Sequence, residues 1–511
     1  MTFIQKLLAL AIVILLPSHG YGSTDVDAEK AWATVPDILK RIVPPVFPKM
    51  DFLITAHGAI EGGKADCTKA FAEAIKTCVD AGGGRVVVPP GKFLTGPVHL
   101  RSNVELHLSE GSEVVFSDRF DDYLPVVPVR VGGIEVMNYS PLIYAKDCVN
   151  VAVTGKGKLN GNAGKWWKWK GKETTEHFKA GAMNAPLEKR IFGTVEAAIR
   201  PNFLVLMNCR NVLLEDFTIG SGPNWTIHPV YCENITIRRV TVDTDGPNND
   251  GIDPDSCRDL LIEHCTFSTG DDCVVLKSGY NEDGWRVAKP TENVIMRHCF
   301  SKHGHGGLVI GSEMSGDVRN VFMHDCEFEG TDRAIRIKSR RDRGGVVEKI
   351  YARDIKVRDM VREVIIINMD YSADKSASSN QKAPVFRDMC FERITADGAP
   401  VAIRITGDSD SPIENIRFRD MKLTSNQGVI AKSVKDLHFE NIHLNAAKGP
   451  VFELENATGV IIENVTSDRN PEIFLKLEGT NSRGIEIQSC PSARGRILLG
   501  EGIKAESVGI K

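Results

Sequence analysis

The chain has 511 residues, 42% of them hydrophobic, and its 63 basic and 67 acidic residues leave a formal charge of −4. That length and apolar content bury a large core, and the missing global basic field excludes a general nucleic-acid binder. An acidic ligand therefore requires a local cluster of cations, and KSRRDRGG from Lys338 to Gly345 supplies one.

The first residues carry one cation, Lys6, then an apolar run from Leu7 to Leu16, then Gly20 and Gly22 at small-residue positions. This pattern reads as a secretory signal peptide over residues 1–22. Ten apolar residues are too few to cross a hydrocarbon layer, which takes about 20. No later stretch is long enough either, so the mature chain is expected to have no membrane span and to be secreted or periplasmic. Residues 23–511 read as one domain with an N-terminal cap over about 50–85. There DCTKAFAEAIKTCVDAGGG predicts a helix with Phe71, Ile75 and Cys78 on its apolar face, stopped by Gly82 to Gly84 before the strand RVVVPPG. The tail from Cys490 to Lys511 is expected to cover the opposite end, because a bare strand edge is an aggregation template.

From the middle of the chain a phrase recurs: a polar residue, a short alternating run, a polar pair, and alternation again. NVLLEDFTI, NITIRRVTV, DLLIEHCTF, NVIMRHCFS and NVFMHDCEF are the first copies. The first apolar residues of ten copies are Val212, Ile235, Leu260, Val294, Val321, Ile350, Met389, Ile416, Leu437 and Val460, with steps of 21 to 39 residues. Two short runs per repeat, rich in Val, Ile, Phe and Thr, are strand signals, and the polar breaks are turns. Helical solenoids are excluded by the alternation, and leucine-rich repeats by the missing fixed Leu spacing. The fold class is therefore all-β, a single-stranded parallel β-helix whose coils pair with one another. Cys209, Cys232 and Cys257 recur at coil spacing, as do Cys273, Cys299 and Cys326. Buried thiol stacks are expected, with at most one or two disulfides among the 12 Cys.

Four polar clusters break the pattern: PNNDGIDPDSC from Pro247, STGDDC from Ser268, KHGHGGLVIGS from Lys302 and RAIRIKSRRDRGG from Arg333. Asp250 and Asp271 are 21 residues apart, about one coil, and so fall on rungs spaced roughly 4.7–4.9 Å. Counted from the coil markers, Asp271, Asp272, His305, Arg336 and Lys338 follow on the same wall of successive coils. Like charges this close cannot all ionise, so one carboxyl keeps its proton while its neighbours stay charged and hold a water. That is the pair of states glycoside hydrolysis needs. His305, flanked by glycines, can reach the carboxylates and tune or orient the acid. Arg336 and Lys338, two apart on a strand, point to one face and suit a carboxylated sugar. Asp253 and Asp255 read as turn formers. Arg340, Arg341 and Arg343 fit either substrate contact or a solvated turn. KWWKWKGK from Lys165 to Lys172 fits either a groove wall or packing over the solenoid, and Trp225 and His228 share that ambiguity.

These motifs resemble the polygalacturonases of glycoside hydrolase family 28, whose fold is a right-handed parallel β-helix. NND at Asn248 to Asp250 is similar to the family's Asn-Thr-Asp, departing at Asn249, while GDD at Gly270 to Asp272, GHG at Gly304 to Gly306 and RIK at Arg336 to Lys338 match unchanged. The resemblance extends to AFAEAIKTC and VVVPPGKFLTGP near the N-terminus. It implies inverting hydrolysis of α-1,4-galacturonosyl linkages in a plant cell-wall polysaccharide or its oligogalacturonides. Asp271 is then the general acid, Asp250 and Asp272 hold and deprotonate water, and His305 supports the acid. Arg336 and Lys338 bind galacturonate on the leaving-group side, with Asn248 and Tyr371 as further substrate contacts. No metal or other cofactor is implied. The form of PNNDGIDPDSC, the long insertions and WTIHPVYCENITI are most similar to bacterial exo-acting members. A calcium-dependent polysaccharide lyase, a rhamnogalacturonan-type hydrolase and a non-catalytic carbohydrate-binding solenoid remain alternatives on the same fold.

Overall fold

The coil markers become one another's partners. In the computed structural model, which describes residues 28–371 and 382–511, Val212, Ile235, Leu260, Val294, Val321, Ile350, Met389, Ile416 and Leu437 pair in parallel register, each with the next. All nine are buried in one continuous core. Thirty-one strands join in a single parallel network, wound as a right-handed β-helix, the hand that twisted parallel strands favour. The predicted leader, residues 1–22, lies outside the described residues.

The polar residue that opens each repeat has a structural reason. Asn211, Asn234, Asp259, Asn293 and Asn320 adopt left-handed backbone with φ between 54° and 59°, where short polar side chains are tolerated. Their side chains bond from coil to coil, Asn234 Nδ2 to Asn211 Oδ1 at 2.8 Å and Asn293 Nδ2 to Asp259 Oδ1 at 2.9 Å. All twelve cysteines are free and buried, so no bridge forms.

Each coil holds a third strand that the repeat phrase does not contain. Val274–Leu276, Leu308–Ile310 and Ile335–Lys338 are three or four residues long and pair in register. Runs this short carry no readable alternation. The turns in front of them are where the polar clusters fall.

The helix Thr68–Asp80 caps the N-terminal end with Phe71, Ile75 and Cys78 buried. At the other end the tail does not form a separate cover; it winds a further rung, Ile497–Leu499 on Leu475–Glu478 and Val508–Ile510 on Arg483–Gln488. Two unforeseen short helices, Ala28–Trp32 and Val35–Arg41, strap the outside wall, packing on Leu261, Ile295, Phe322, Tyr351 and Cys390. An antiparallel hairpin, Val127–Val131 with Ile134–Asn138, packs on Tyr144, Val205, Met207 and Val230, the outward faces of the early third strands. Among the described residues no helix is long and apolar enough to cross a membrane.

Candidate active site

Backbone bonds between coils set the positions of the polar clusters. Ile252, Val274, Leu308 and Ile335 are consecutive register partners, so the turns carrying Asp250, Asp271 with Asp272, and His305, and the strand carrying Arg336 with Lys338, occupy four successive rungs. The N–H of Gly251 donates to Asp272 O at 2.9 Å, and that of His305 to Asp271 O at 2.9 Å. The rung partner of Asp250 is therefore Asp272, with Asp271 one residue off register. Gly304 has φ of 144°, and a Cβ there would lie 2.5 Å from Thr269 Oγ1 and 2.7 Å from Cys273 Sγ. Only glycine lets His305 fold back onto the carboxylates.

The downstream carboxylates are saturated with positive partners. Asp272 is fully buried, yet Arg336 NH1 donates to its Oδ1 at 3.0 Å and Lys338 Nζ to its Oδ2 at 2.5 Å. Burial pushes this carboxyl up, but Lys338 and Arg336 more than reverse it and hold it below its ordinary value. Asp271 faces the groove, with His305 Nδ1 2.9 Å from its Oδ1 and Asn248 Nδ2 donating to its Oδ2 at 3.4 Å. Its burial is likewise outweighed by the His305 bond and the Lys338 charge, and its pKa falls to about 2. The same bond raises the imidazole of His305. The ring of Tyr371 lies 5.4 Å from the Arg336 guanidinium carbon and 5.0 Å from Lys338 Nζ.

The upstream carboxyls are in the opposite condition. Oδ1 of Asp250 and both side-chain oxygens of Asp253 are buried with no hydrogen-bond partner. Burial, and for Asp250 the neighbouring Asp253, push both well above the ordinary range. Lys277 sits beneath them, 3.8 Å from Asp253 Oδ1, 3.0 Å from Glu313 Oε2 and 4.2 Å from the Trp225 ring centre. Asp255 pairs with the buried Arg130 at 2.8 Å. Asp253 and Asp255 are thus buried carboxyls under the site rather than turn formers, a correction to the sequence reading. Lys277, Glu313 and Arg130 were missed altogether. The alternation Asp253, Asp255 followed one rung later by Lys277 was the available signal, legible only once the third strand is known.

All eight predicted site residues converge: Asp250, Asp271, Asp272, His305, Arg336, Lys338, Tyr371 and Asn248. Asn248 Oδ1 accepts from Arg200 NH2 at 2.8 Å and from Lys170 Nζ at 2.6 Å. The ambiguous residues resolve. Trp166, Trp169, Trp225 and His228 are buried, whereas Lys170 reaches the groove. Arg340, Arg341 and Arg343 are ion-paired within the fold, to Asp342, to Asp408 with Asp410, and to Asp342 respectively. One oxygen each of Asp271 and Asp272 and a ring nitrogen of His305 lie within 4.8 Å of one another, a spacing that suits a metal. One ammonium and one guanidinium already occupy Asp272, which leaves poor ligands for a cation. The set offers adjacent carboxylates, an imidazole bonded to one of them and, beside them, the positive charge of Arg336 and Lys338.

Comparison with known proteins agrees with this chemistry. The chain is 29% identical over 372 residues to a probable polygalacturonase of Vitis vinifera, covering 70% of this chain and 71% of that protein. It is 25% identical over 453 residues to an exo-poly-alpha-D-galacturonosidase of Dickeya chrysanthemi, 81% of this chain and 74% of the relative. The solved structure of a hyperthermoactive exopolygalacturonase from Thermotoga maritima superposes with a TM-score of 0.76 at 38% identity, over 81% of this chain and 96% of that one. Residues 78–433 match the model of glycosyl hydrolases family 28, and the chain belongs to that family.

Proposed function

We propose that the protein is an exported, exo-acting polygalacturonase that hydrolyses α-1,4-galacturonosyl linkages with inversion. The observation that carries the reading is the clamp on Asp272: a buried lysine and a part-buried arginine hold one carboxylate charged beside a second, Asp271, that bonds to an imidazole. Water attacks the anomeric carbon as the glycosidic C–O bond breaks. Asp271 gives its proton to the leaving oxygen, and the water's proton passes to Asp272, with Asp250 fixing the water. In the substrate-free protein Asp271 is pushed toward the ionised form, like Asp272, and must load a proton before turnover. Lys338 is part of what holds it down. A uronate carboxylate bound at Arg336 and Lys338 neutralises that field, so the substrate itself raises the acid.

Exo action is supported by the hairpin Val127–Val131 with Ile134–Asn138, which covers the third-strand face upstream of Asp250. It is tied down by Arg130 on Asp255 and by the bond from Tyr231 Oη to Glu135 Oε1 at 2.8 Å. On this reading the hairpin closes the upstream end of the groove, so that a chain end enters and a continuous polymer is excluded. The leader over 1–22 supports export, and the polygalacturonase and exo-poly-alpha-D-galacturonosidase relatives above support a galacturonan as substrate. Proton NMR of the newborn anomeric centre, with sizing of products from polygalacturonate, tests the reading. Inverted monomer or dimer from chain ends is expected. A ladder of oligomers sinks exo action, initial retention sinks the mechanism, and an ultraviolet-absorbing unsaturated product lost in chelator makes the protein a lyase.

A further inference from the structure

Outside the coils, one element brings a cation to the groove. The insertion over residues 161–202 is bolted to the solenoid by its tryptophans. Trp166 and Trp169 are buried with ring centres 4.8 Å apart, and Phe120 lies 4.5 Å from each. Trp167 Nε1 donates to Gly222 O at 2.9 Å, and its ring lies so close to Gly246 that a Cβ there would come within 2.4 Å. Gly246 begins the turn that carries Asn248, so insertion and turn are fixed against each other. Lys170, which follows the buried Trp169, is exposed and aims its Nζ at Asn248 Oδ1, 2.6 Å away.

Asn248 has no need of this lysine. Its Oδ1 already accepts from Arg200, a buried side chain that also bonds Pro247 O at 2.7 Å and Pro223 O at 3.0 Å. The other cations of the site are committed: Arg336 and Lys338 to Asp272, Lys277 to Glu313, Arg130 to Asp255. Lys170 makes no ion pair among the described residues and keeps donors of its ammonium unused. It also stands where a cation is scarce. A polymer of uronates presents a carboxylate on both sides of the bond to be cut, and the downstream one meets Arg336 and Lys338. Upstream, the cations on the neighbouring rungs are spent on protein partners, Arg200 on Glu173 and Asn248, Lys277 on Glu313 and Arg130 on Asp255, and Asp250 and Asp253 add no positive charge.

We propose that Lys170 binds the carboxylate of the uronate on the upstream side of the scissile bond, and so makes the enzyme select for an uncapped acid there. The proposal rests on the hydrolase reading above. It also gives the insertion a function: the tryptophans are its anchor and the lysine its working end.

Calorimetry on the Asp271→Asn protein, with and without Lys170→Met, tests this with two ligands. One is trigalacturonate; the other is the same trimer with the carboxylate at its non-reducing end reduced to an alcohol. Lys170→Met is expected to weaken trigalacturonate binding roughly tenfold, the size of one charge-assisted contact, and to leave the reduced trimer unaffected. Lys170→Arg should restore most of the loss. In the otherwise unaltered enzyme, Lys170→Met should raise KM for trigalacturonate with little change in kcat or in the pH profile. Equal weakening of both ligands, or a lowered kcat with a displaced pH profile, would make Lys170 a positioning residue for Asn248 and overturn the proposal. Unchanged binding of trigalacturonate overturns it as well. Failure of the hydrolase reading looks different, since the unaltered enzyme would then leave trigalacturonate uncut or cut it to an ultraviolet-absorbing unsaturated product.

Discussion

Two pairs of aspartates on adjacent rungs differ in almost everything but residue type. Asp250 and Asp253 are buried with unpartnered oxygens and are driven toward the protonated form. Asp272 is just as dry, yet it is ionised, because the strand Ile335–Lys338 sends two cations back to it from two rungs downstream. Asp271, beside it, is kept charged by His305 and Lys338. Burial alone therefore does not set the charge of a carboxyl; the donors that burial brings with it do. In the free protein the upstream carboxyls are pushed toward the protonated form and the downstream ones toward the charged form.

The largest effect should come from deleting the downstream charge. Asp271→Asn or Asp272→Asn is expected to lower kcat about a thousandfold, within the range for loss of acid–base catalysis, with a nearly unchanged circular-dichroism melt for Asp271→Asn and a lowered one for Asp272→Asn, which leaves Lys338 and Arg336 without their carboxylate. A loss of less than tenfold for either would remove that residue from the proton path. Next comes the clamp itself. Lys338→Met leaves a buried carboxylate with one partner fewer, and breaking such a pair costs up to about 3–5 kcal/mol, readable by urea unfolding alongside lost activity. If stability holds while activity falls, water has replaced the ammonium and the clamp serves catalysis alone. The upstream pair should respond with the opposite sign. A carboxyl raised by folding binds its proton more tightly when native, so it costs stability as pH climbs from about 4 toward the raised value. Asp253→Asn removes that cost. It should stabilise the protein by roughly 1–3 kcal/mol at pH 8 and make little difference at pH 4, where wild type is already protonated.

How much of this was legible beforehand divides along the same line. The coil markers are apolar, inward and repeated, so Val212 through Leu437 announce both the repeat and the register. Asp271, Asp272, His305, Arg336 and Lys338 were legible because they sit in polar interruptions at coil spacing. The third strand was not, since Val274–Leu276 has no room to alternate, and with it went Asp253, Asp255 and Lys277, whose neighbours are one rung away rather than next in sequence. The strap helices Ala28–Trp32 and Val35–Arg41 were hidden for another reason. Their partners, from Leu261 to Cys390, lie on outward faces of strands, where polar residues are expected. In KWWKWKGK the composition allowed two roles, and geometry divides them: Trp166 and Trp169 pack, Lys170 reaches the groove.

The smallest expected effect is the most direct test of the contrast. His305 is about half exposed, so its pair with Asp271 stabilises the fold by less than about 1 kcal/mol. The lowered Asp271 contributes stability above its unfolded value near 3.9 and loses it as pH falls toward 2. The raised His305 contributes below its unfolded value near 6.5 and loses it as pH rises through the folded one. Both contributions are present together between about pH 4 and 6.5. Melting temperatures of wild type and His305→Gln should therefore differ most near pH 5.5 and converge toward pH 2 and pH 9. Wild type and Asp253→Asn should diverge steadily toward alkaline pH instead. If the His305 difference were the same at every pH, the contact would act through packing alone, and the charge assigned to Asp271 would have to come from Lys338.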